Sequence, residues 1–276
     1  MIVYNNGQFC KFEETRAPLN QSYFFGDGVF TTLKTYGGKA FELRKHIDRL
    51  FESASLIDLP LPVEKNYIKE LIEAVLQKNL NRDCVIRIII SRETDLSRLK
   101  KGKPYILIIP VEPIKYDQEN YKRGVKVITF RGERYLPRAK SLNYLVSVIA
   151  GREADKKGAN EALLVDRNDY VREGSISNFF IVKNNTLITP NDEILFGVTR
   201  EVVLDIARKN WKIELRDIKK FELFEADEVF LTGTTKEVMP VVEIDGKKIG
   251  EGKVGDITKR LIVEFQNYVE EEIQKI

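Results

Sequence analysis

Hydrophobic residues along this chain recur at two spacings, and their alternation predicts a protein that mixes strands with helices. Short runs rich in β-branched residues predict strands at 28–36, 84–91 and 105–110. Residues 44–59 predict a helix between the first two, because their apolar positions follow a helical repeat that buries one face. Those positions are Ile47, Leu50, Phe51, Ala54 and Ile57.

The second half of the chain has the same mixture with shorter strands. The predicted strands cover 125–130, 161–166, 170–173, 179–182, 186–189, 212–215, 228–232 and 238–244. The predicted helices cover 141–157, 199–209 and the segment from Asp256 onward. In the first of these, Leu142, Leu145, Val146 and Ile149 are expected to form the buried face.

The predicted fold class is α+β or α/β, in two domains. Residues 110–124 contain Pro113, mixed charge and little periodicity, as interdomain linkers do. We therefore expect a small α+β domain at 1–116, a linker at 117–124 and a larger domain at 125–276.

Composition excludes several classes of function. The 45 basic and 42 acidic residues nearly balance, whereas a nucleic-acid binder more often has a clustered basic face. No apolar run approaches the roughly 18 residues of a membrane span, and the amino terminus lacks a signal pattern. Two cysteines and one histidine argue against a disulfide framework and most zinc sites. We expect a cytoplasmic protein without a metal.

Four segments of the second half carry groups that could do chemistry. Lys140 precedes Tyr144 by four residues, so a helix would place both on one face. Glu173 ends a strand before a polar turn, and residues 197–200 open a helix whose free N–H groups suit a phosphate. Residues 232–236 offer hydroxyls and amides to an anion. Each alone is more often a solvated charge, a turn acid or a helix cap.

The first half adds three weaker features. Arg49 flanks the apolar face of its helix, where a structural surface arginine is the usual interpretation. Residues 25–30, Phe-Gly-Asp-Gly-Val-Phe, have paired glycines before a strand but lack the third glycine and the helix of a dinucleotide site. The polar loop 92–103 is too long for a plain hairpin, which makes it a candidate for function.

Taken in order, these motifs resemble the class IV pyridoxal-phosphate enzymes, which include branched-chain aminotransferases, D-amino-acid aminotransferases and aminodeoxychorismate lyases. The resemblance covers nearly the whole chain. It rests on Phe-Gly-Asp-Gly-Val-Phe at 25–30, His-x-x-Arg-Leu at 46–50, Lys140 with Asn143-Tyr144-Leu145, Glu-Gly-Ser-x-Ser-Asn at 173–178, Gly-Val-Thr-Arg at 197–200 and Thr-Gly-Thr-Thr-x-Glu-Val-x-Pro-Val at 232–241.

This resemblance implies roles for the cofactor-binding residues. Lys140 would hold pyridoxal phosphate as a Schiff base and later move a proton between the substrate α-carbon and the cofactor. Glu173 would keep the pyridine nitrogen protonated, and Tyr144 would hydrogen-bond the ring hydroxyl. The implied phosphate ligands are Arg49, the amides of Val198 and Thr199, and Thr234 or Thr235. The implied fold has a small α+β domain and a larger barrel-like domain, with a homodimer completing the site.

The motifs expected near the substrate resemble different members of this family. Phe30-Thr31-Thr32 is similar to the lyases, whereas branched-chain enzymes usually have Phe-Glu-Gly-Ile-Arg there. Residues 140–143 and 234–246 are closer to D-amino-acid aminotransferases, whose Arg-x-His motif has a possible match at 98–100 with lysine for histidine. A tyrosine of that group is replaced by Phe30. The candidate substrate-binding residues are Phe25, Phe30, Thr32, Arg98, Lys100 and Lys236.

Three functional hypotheses follow from the resemblance. The first is a transaminase acting on an amino acid and a 2-oxo acid, with D-amino acids favoured and branched-chain L-amino acids a close second. The second is a lyase that releases pyruvate and 4-aminobenzoate from aminodeoxychorismate. The third is a cofactor-binding protein without catalytic activity.

Overall fold

The computed structural model describes residues 1–16, 20–61, 63–93 and 102–275, and its contacts divide the chain into two compact units. Unit 1 comprises Met1–Ile114, Arg138–Tyr144 and Glu272–Ile276, and unit 2 comprises Lys115–Pro137 and Leu145–Glu271. The segment that carries Lys140 therefore groups with unit 1, although it lies within the predicted larger domain. The boundaries at 116 and 124 remain a prediction.

Unit 1 contains an antiparallel sheet flanked by helices. Its strands are β1 (Ile2–Asn5), β2 (Gln8–Lys11), β3 (Gly28–Tyr36), β4 (Lys39–Ala40), β5 (Val85–Glu93) and β6 (Lys103–Val111). Its helices are a 3-10 turn (Phe12–Glu14), α1 (Gln21–Phe25), α2 (Leu43–Leu56) and α3 (Lys65–Lys78). Within the described ranges the strand order is β2-β1-β6-β5-β3-β4. The strands and helices predicted for this region are present, with ends shifted by a few residues.

The core of unit 1 forms where one face of β3 meets the apolar face of α2. Val29 and Leu33 of β3 are fully buried in one cluster with Ile47 and Leu50 of α2. A strand exposes alternate residues to opposite faces, so Thr31 lies on the same buried face as Val29 and Leu33. A hydroxyl is thereby placed inside an apolar core, where it needs a hydrogen-bond partner.

Unit 2 is built on a larger mixed sheet. Its strands are β7 (Val125–Arg131), β8 (Glu161–Val165), β9 (Tyr170–Gly174), β10 (Asn178–Lys183), β11 (Thr186–Thr189), β12 (Lys212–Leu215), β13 (Ile218–Lys219), β14 (Glu228–Gly233), β15 (Glu237–Ile244) and β16 (Lys247–Lys248). Its helices are α4 (Gln118–Arg123), α5 (Leu145–Lys156), α6 (Val198–Ala207), α7 (Glu222–Glu225) and α8 (Asp256–Lys275). Helix α4 falls inside the predicted linker.

The sheet of unit 2 has the order β12-β11-β10-β14-β15-β7-β8-β9-β13 among the described residues, with β16 paired to β15. Strands β7 and β8 are parallel, as are β15 and β7, and most other pairs are antiparallel. The sheet curls into a half-barrel, which confirms the predicted mixed fold with a barrel-like larger part. None of the helices in the described ranges has the length and hydropathy that crossing a bilayer requires.

The segment after Pro137 differs from its prediction. The expected helix from Ser141 begins only at Leu145, because residues 140–142 pair with β3. The Phe30 N–H donates to the Lys140 carbonyl at 2.9 Å, and the Leu142 N–H donates to the Gly28 carbonyl at 2.8 Å. These bonds occupy backbone groups that a helix would need, so Lys140 and Tyr144 do not share a helix face.

Helix α5 also buries a different face from the one that its larger apolar residues predict. Small residues are buried instead, and Ala150 and Ala154 pack in one cluster with Ile128 and Leu164. Leu145, Val148 and Ile149 are exposed. The helix can approach its sheet closely because the contact residues are small, and this leaves its larger apolar residues on the outside.

Candidate active site

Lys140 is fixed in unit 1 by its own backbone. Its N–H donates to Ser53 Oγ of α2 at 3.1 Å, while its carbonyl accepts from β3. Its Nζ lies 4.6 Å from the ring centroid of Phe30 and 5.6 Å from that of Tyr144. The two rings meet edge to face at 5.4 Å. The amine is thus held against two aromatic rings, which favour a cation at their faces.

Three buried polar residues contact one another where β3 packs on α2: Thr31 of β3, and His46 and Arg49 of α2. The Arg49 Nη2 donates to Thr31 Oγ1 at 2.9 Å, and Thr31 Oγ1 lies 3.1 Å from His46 Nδ1. An arginine nitrogen can only donate, so the Thr31 oxygen accepts from Arg49. The same Nη2 lies 3.5 Å from His46 Nδ1, which favours an unprotonated Nδ1 that can accept from the Thr31 hydroxyl. The threonine that the strand buries thereby finds two partners, both from α2.

His46 is neutral in this arrangement. Burial, followed by the positive charges of Arg49, Lys140 and Lys45, holds the pKa of His46 well below its ordinary value. A protonated ring would have no lone pair at Nδ1 for the Thr31 hydroxyl. The hydrogen bonding and the electrostatics therefore both favour the uncharged imidazole.

Glu173 is the centre of a second group of residues, in unit 2. One of its carboxylate oxygens accepts from Arg134 Nε at 2.7 Å, and the other accepts from the Leu195 N–H at 3.0 Å. Asn178 Nδ2 also approaches that second oxygen, at 3.4 Å. The side chains of Arg134 and Glu173 are each 6% exposed. Three donors from separate parts of the chain thus fix the orientation of a buried carboxylate.

Asn178 also shapes the start of α6. It donates to the Leu195 carbonyl at 2.8 Å, and a Cβ added at Gly197 would clash with its Oδ1. A side chain at position 197 would therefore displace the Asn178 amide from its present position. Helix α6 begins at Val198 without a side-chain cap, and Val198 and Thr199 are buried. The first N–H groups of a helix have no acceptor within the helix, so such a start is suited to a phosphate.

Thr234 and Thr235 lie in the turn between β14 and β15 and are half-buried. The Thr235 hydroxyl is 3.5 Å from Tyr116 OH. Lys236, which follows them, is buried and its ammonium forms an ion pair with Glu161.

The structure places the other predicted residues as follows. Phe25 is exposed at the end of α1, and Phe30 and Thr32 are half-buried on the face of β3 opposite Thr31. Arg98 and Lys100 lie outside the described residues. In unit 1 the structure brings Lys140, Phe30 and Tyr144 into direct contact.

Sequence reasoning missed several residues of these two groups. Thr31, His46 and Asn178 lie within the motifs at 30–32, 46–50 and 173–178, but the sequence assigns them no role. Their signal was polarity at positions that the hydrophobic pattern predicts to be buried. Arg134 and Glu161 belong to no motif, because their partners are distant in the chain.

Comparison with known proteins decides the family. The family described as amino-transferase class IV matches residues 28–244. The chain belongs to this family.

The relatives of this class IV aminotransferase are named for different substrates. A D-alanine aminotransferase of Listeria monocytogenes is 35% identical over 281 residues, covering 98% of this chain and 96% of the relative. A branched-chain-amino-acid aminotransferase of Pseudomonas aeruginosa is 32% identical over 276 residues, covering 94% and 90%. The branched-chain amino acid aminotransferase of T.th., solved with pyridoxamine 5'-phosphate, matches with a TM-score of 0.90 at 30% identity, covering 97% of this chain and 93% of that one.

The class IV aminotransferase is accordingly a pyridoxal-phosphate enzyme, and its residues fit that cofactor. Unit 1 has an amine at Lys140 and a buried cation at Arg49, and unit 2 has a buried, hydrogen-bonded carboxylate at Glu173. These are the chemical types that would suit the aldehyde, the phosphate and the ring nitrogen of that cofactor. The uncapped start of α6 supplies amide donors of the kind that a phosphate also takes.

The pH dependence of stability tests the neutral state of His46. Its pKa is lower in the folded than in the unfolded protein, so below about pH 6.5 the unfolded state binds a proton that the folded state does not. The free energy of unfolding should fall with decreasing pH, with His46 contributing up to about 1.4 kcal/mol per pH unit. Urea unfolding at pH 7.5, 6.5 and 5.5 measures this slope.

His46→Gln provides the comparison. His46 is the single histidine of the chain, so the difference in slope between the two proteins between pH 6.5 and 5.5 reports this residue alone. The variant should have the flatter profile. Equal slopes in the two proteins would show that His46 has the same pKa in the folded and unfolded states, which contradicts the lowered pKa.

Proposed function

We propose that this enzyme transfers an amino group between an amino acid and a 2-oxo acid, with D-amino acids as the preferred donors. The observation that supports the proposal most directly is the position of Lys140. Its backbone is bonded to both β3 and α2, and its amine lies against the rings of Phe30 and Tyr144. A base that moves a proton at a substrate carbon needs such a fixed position.

We assign the cofactor contacts to the two groups of residues described above. Lys140 would hold the cofactor through its amine, and Tyr144 would donate to the ring hydroxyl. Glu173, oriented by Arg134 and Asn178, would accept from the ring nitrogen and favour its protonated form. The phosphate ligands would be Arg49, the amides of Val198 and Thr199, and the hydroxyls of Thr234 and Thr235. Pyridoxal phosphate supplies an electron sink for the electrons left when a proton departs from the α-carbon.

Lys140 would do the proton transfer. The substrate amine would displace the Lys140 amine from the cofactor. The released Lys140 amine would then take the proton from the substrate α-carbon and give a proton to the cofactor. The aromatic rings beside Nζ exclude water from one side of the amine, which limits competing protonation by solvent.

Phe30 supports a donor with a small or apolar side chain. Phe30 and Thr32 occupy the face of β3 that the core does not cover, and the phenyl ring offers no hydrogen bond to a polar substrate group. We assign the substrate carboxylate to Arg98 and Lys100, with Phe25 at the edge of the site. Lys236 forms an ion pair with Glu161, so its contribution would be indirect.

The preference for D-amino acids is supported by the D-alanine aminotransferase named among the relatives. Branched-chain L-amino acids are the second candidate, because the solved structure that matches with a TM-score of 0.90 is a branched-chain enzyme. The lyase is not favoured, since these relatives are named as aminotransferases.

We also propose that the enzyme works as a homodimer. Unit 1 exposes three successive aromatic residues, Tyr23, Phe24 and Phe25, and α5 of unit 2 exposes Leu145, Val148 and Ile149. Leu145, Val148 and Ile149 lie at i, i+3 and i+4 and therefore share one face of α5. An exposed apolar patch of this kind is typical of a protein interface. A second copy would cover them by a self-complementary contact.

Activity assays test the reaction. The purified enzyme is given D-alanine, L-leucine or aminodeoxychorismate, each with and without a 2-oxo acid. It should turn over D-alanine and L-leucine repeatedly only when the 2-oxo acid is present, and without it should convert at most one equivalent per active site. Lys140→Ala should lose the visible absorbance of the bound cofactor and lower turnover by at least about 100-fold, the usual contribution of a general base. Lys157→Ala, at an exposed position, is the control. Pyruvate and 4-aminobenzoate formed without an amino acceptor would establish the lyase instead.

Arg98→Ala tests the assignment of the carboxylate. Loss of a charge-assisted hydrogen bond of about 1.5–3 kcal/mol should raise KM for the 2-oxo acid by roughly 10-fold or more. Lys103→Ala, which removes an exposed cation at the start of β6, is the matched control. An unchanged KM for every carboxylate substrate would contradict the assignment.

Light scattering after size-exclusion chromatography tests the dimer. The wild-type enzyme should have twice the mass of one chain, and Ile149→Asp should lower that mass because it buries a charge in the interface. Val263→Asp, at an exposed apolar position of α8, controls for the introduction of a charge alone. A wild-type protein that remains a single chain at micromolar concentration would refute the proposal.

A further inference from the structure

A buried ion pair between Lys236 and Glu161 lies outside the cofactor contacts assigned above. Lys236 is 5% exposed and Glu161 is 2% exposed. Lys236 lies in the turn 234–236, here called the threonine turn, and Glu161 is the first residue of β8. A buried ammonium is costly unless a carboxylate compensates it, so the pair holds the two segments together.

Glu161 also binds a second turn, residues 175–177, here called the serine turn. One oxygen of Glu161 accepts from the Ile176 N–H at 2.9 Å, from Ser177 Oγ at 2.8 Å and from Ser175 Oγ at 3.4 Å. A Cβ added at Gly174 would lie 2.5 Å from that oxygen. The carboxylate is therefore packed directly against the backbone that follows Glu173.

The threonine turn is held on its other side by tyrosines of the segment before β7. Tyr121 OH donates to the Lys236 carbonyl at 3.1 Å, and Tyr116 OH lies 3.5 Å from Thr235 Oγ1. Burial, and then the negative charge of Glu237, raise the pKa of Tyr121, so its phenol remains a donor. The turn is thus fixed at both the backbone and the side chain of Lys236.

We propose that Lys236 and Glu161 are positioning residues, whose ion pair sets the separation between the serine turn and the threonine turn. This inference rests on the proposed function. That proposal assigns Glu173, which precedes the serine turn, to the cofactor ring, and it assigns Thr234 and Thr235 of the threonine turn to the cofactor phosphate. Through the pair, these two sets of ligands keep the spacing that one rigid cofactor requires.

The consequence for cofactor binding differs from the consequence for stability. Lys236→Met removes the cation but keeps the stem, and Glu161→Gln leaves the ammonium without a carboxylate. Either change alone should destabilise the protein. In the Lys236→Met, Glu161→Gln double variant no charge is left uncompensated, so stability should recover, while the link between the turns stays broken.

The experiment compares the holoenzymes of the wild type, Lys236→Met and the double variant. Loss of pyridoxal phosphate on dilution, the visible absorbance maximum of the bound cofactor, its ³¹P resonance and the urea unfolding midpoint are measured on each. The double variant should lose the cofactor at least 10-fold faster than the wild type, with a shifted ³¹P resonance and an unfolding midpoint close to that of the wild type.

Lys183→Met is the control, since it breaks an ion pair with Asp227 at the surface of the same unit. It should leave retention and the ³¹P resonance unchanged. A double variant that retains the cofactor as well as the wild type does would overturn the inference. The inference would fail in the same way if Lys236→Met lost the cofactor faster than the wild type and the double variant returned to the wild-type rate. A wild-type protein that binds no pyridoxal phosphate would refute the proposed function itself, which is a different result.

Discussion

The pairing of residues 140–142 with β3 is the constraint on which the assignment of Lys140 depends. Lys140 lies in a segment that separates two parts of unit 2 in sequence, yet its contacts group it with unit 1. Two backbone hydrogen bonds to β3 and one to Ser53 fix its Cα. The side chain then has its position set by Phe30, a residue of the same strand. The amine of a long side chain can be positioned this closely only when the backbone that carries it is fixed.

Strand β3 also places different kinds of side chain on its two faces. Phe30 and Thr32 lie on the open face, whereas Thr31 is buried between Val29 and Leu33. Because the side-chain period of a strand is two, a polar residue at position 31 must be satisfied from inside the core. His46 and Arg49 of α2 satisfy it, and the neutral imidazole allows the arginine to stay buried beside it.

In unit 2 the buried carboxylates are the organising groups. Glu173 accepts from Arg134, Asn178 and the Leu195 amide, and Glu161 accepts from the serine turn and from Lys236. Each carboxylate therefore joins segments that are distant in sequence, because its two oxygens accept several hydrogen bonds in different directions. Turns between strands are otherwise among the more mobile parts of a fold. The buried charges connect them to strands.

The sequence by itself determined the family, the cofactor and the mixed fold. The ordered motifs carry the chemistry of one cofactor, and the strands and helices of β3, α2 and β5 follow from local periodicity. It did not determine the conformation of residues 140–144 or the buried face of α5, where pairing with β3 and close packing of Ala150 and Ala154 override an apolar repeat that favours a different helix. Nor did it reveal the partners of Glu173 and Glu161. Local sequence encodes which residues are apolar or charged, whereas only tertiary packing decides which distant charges a buried carboxylate must meet.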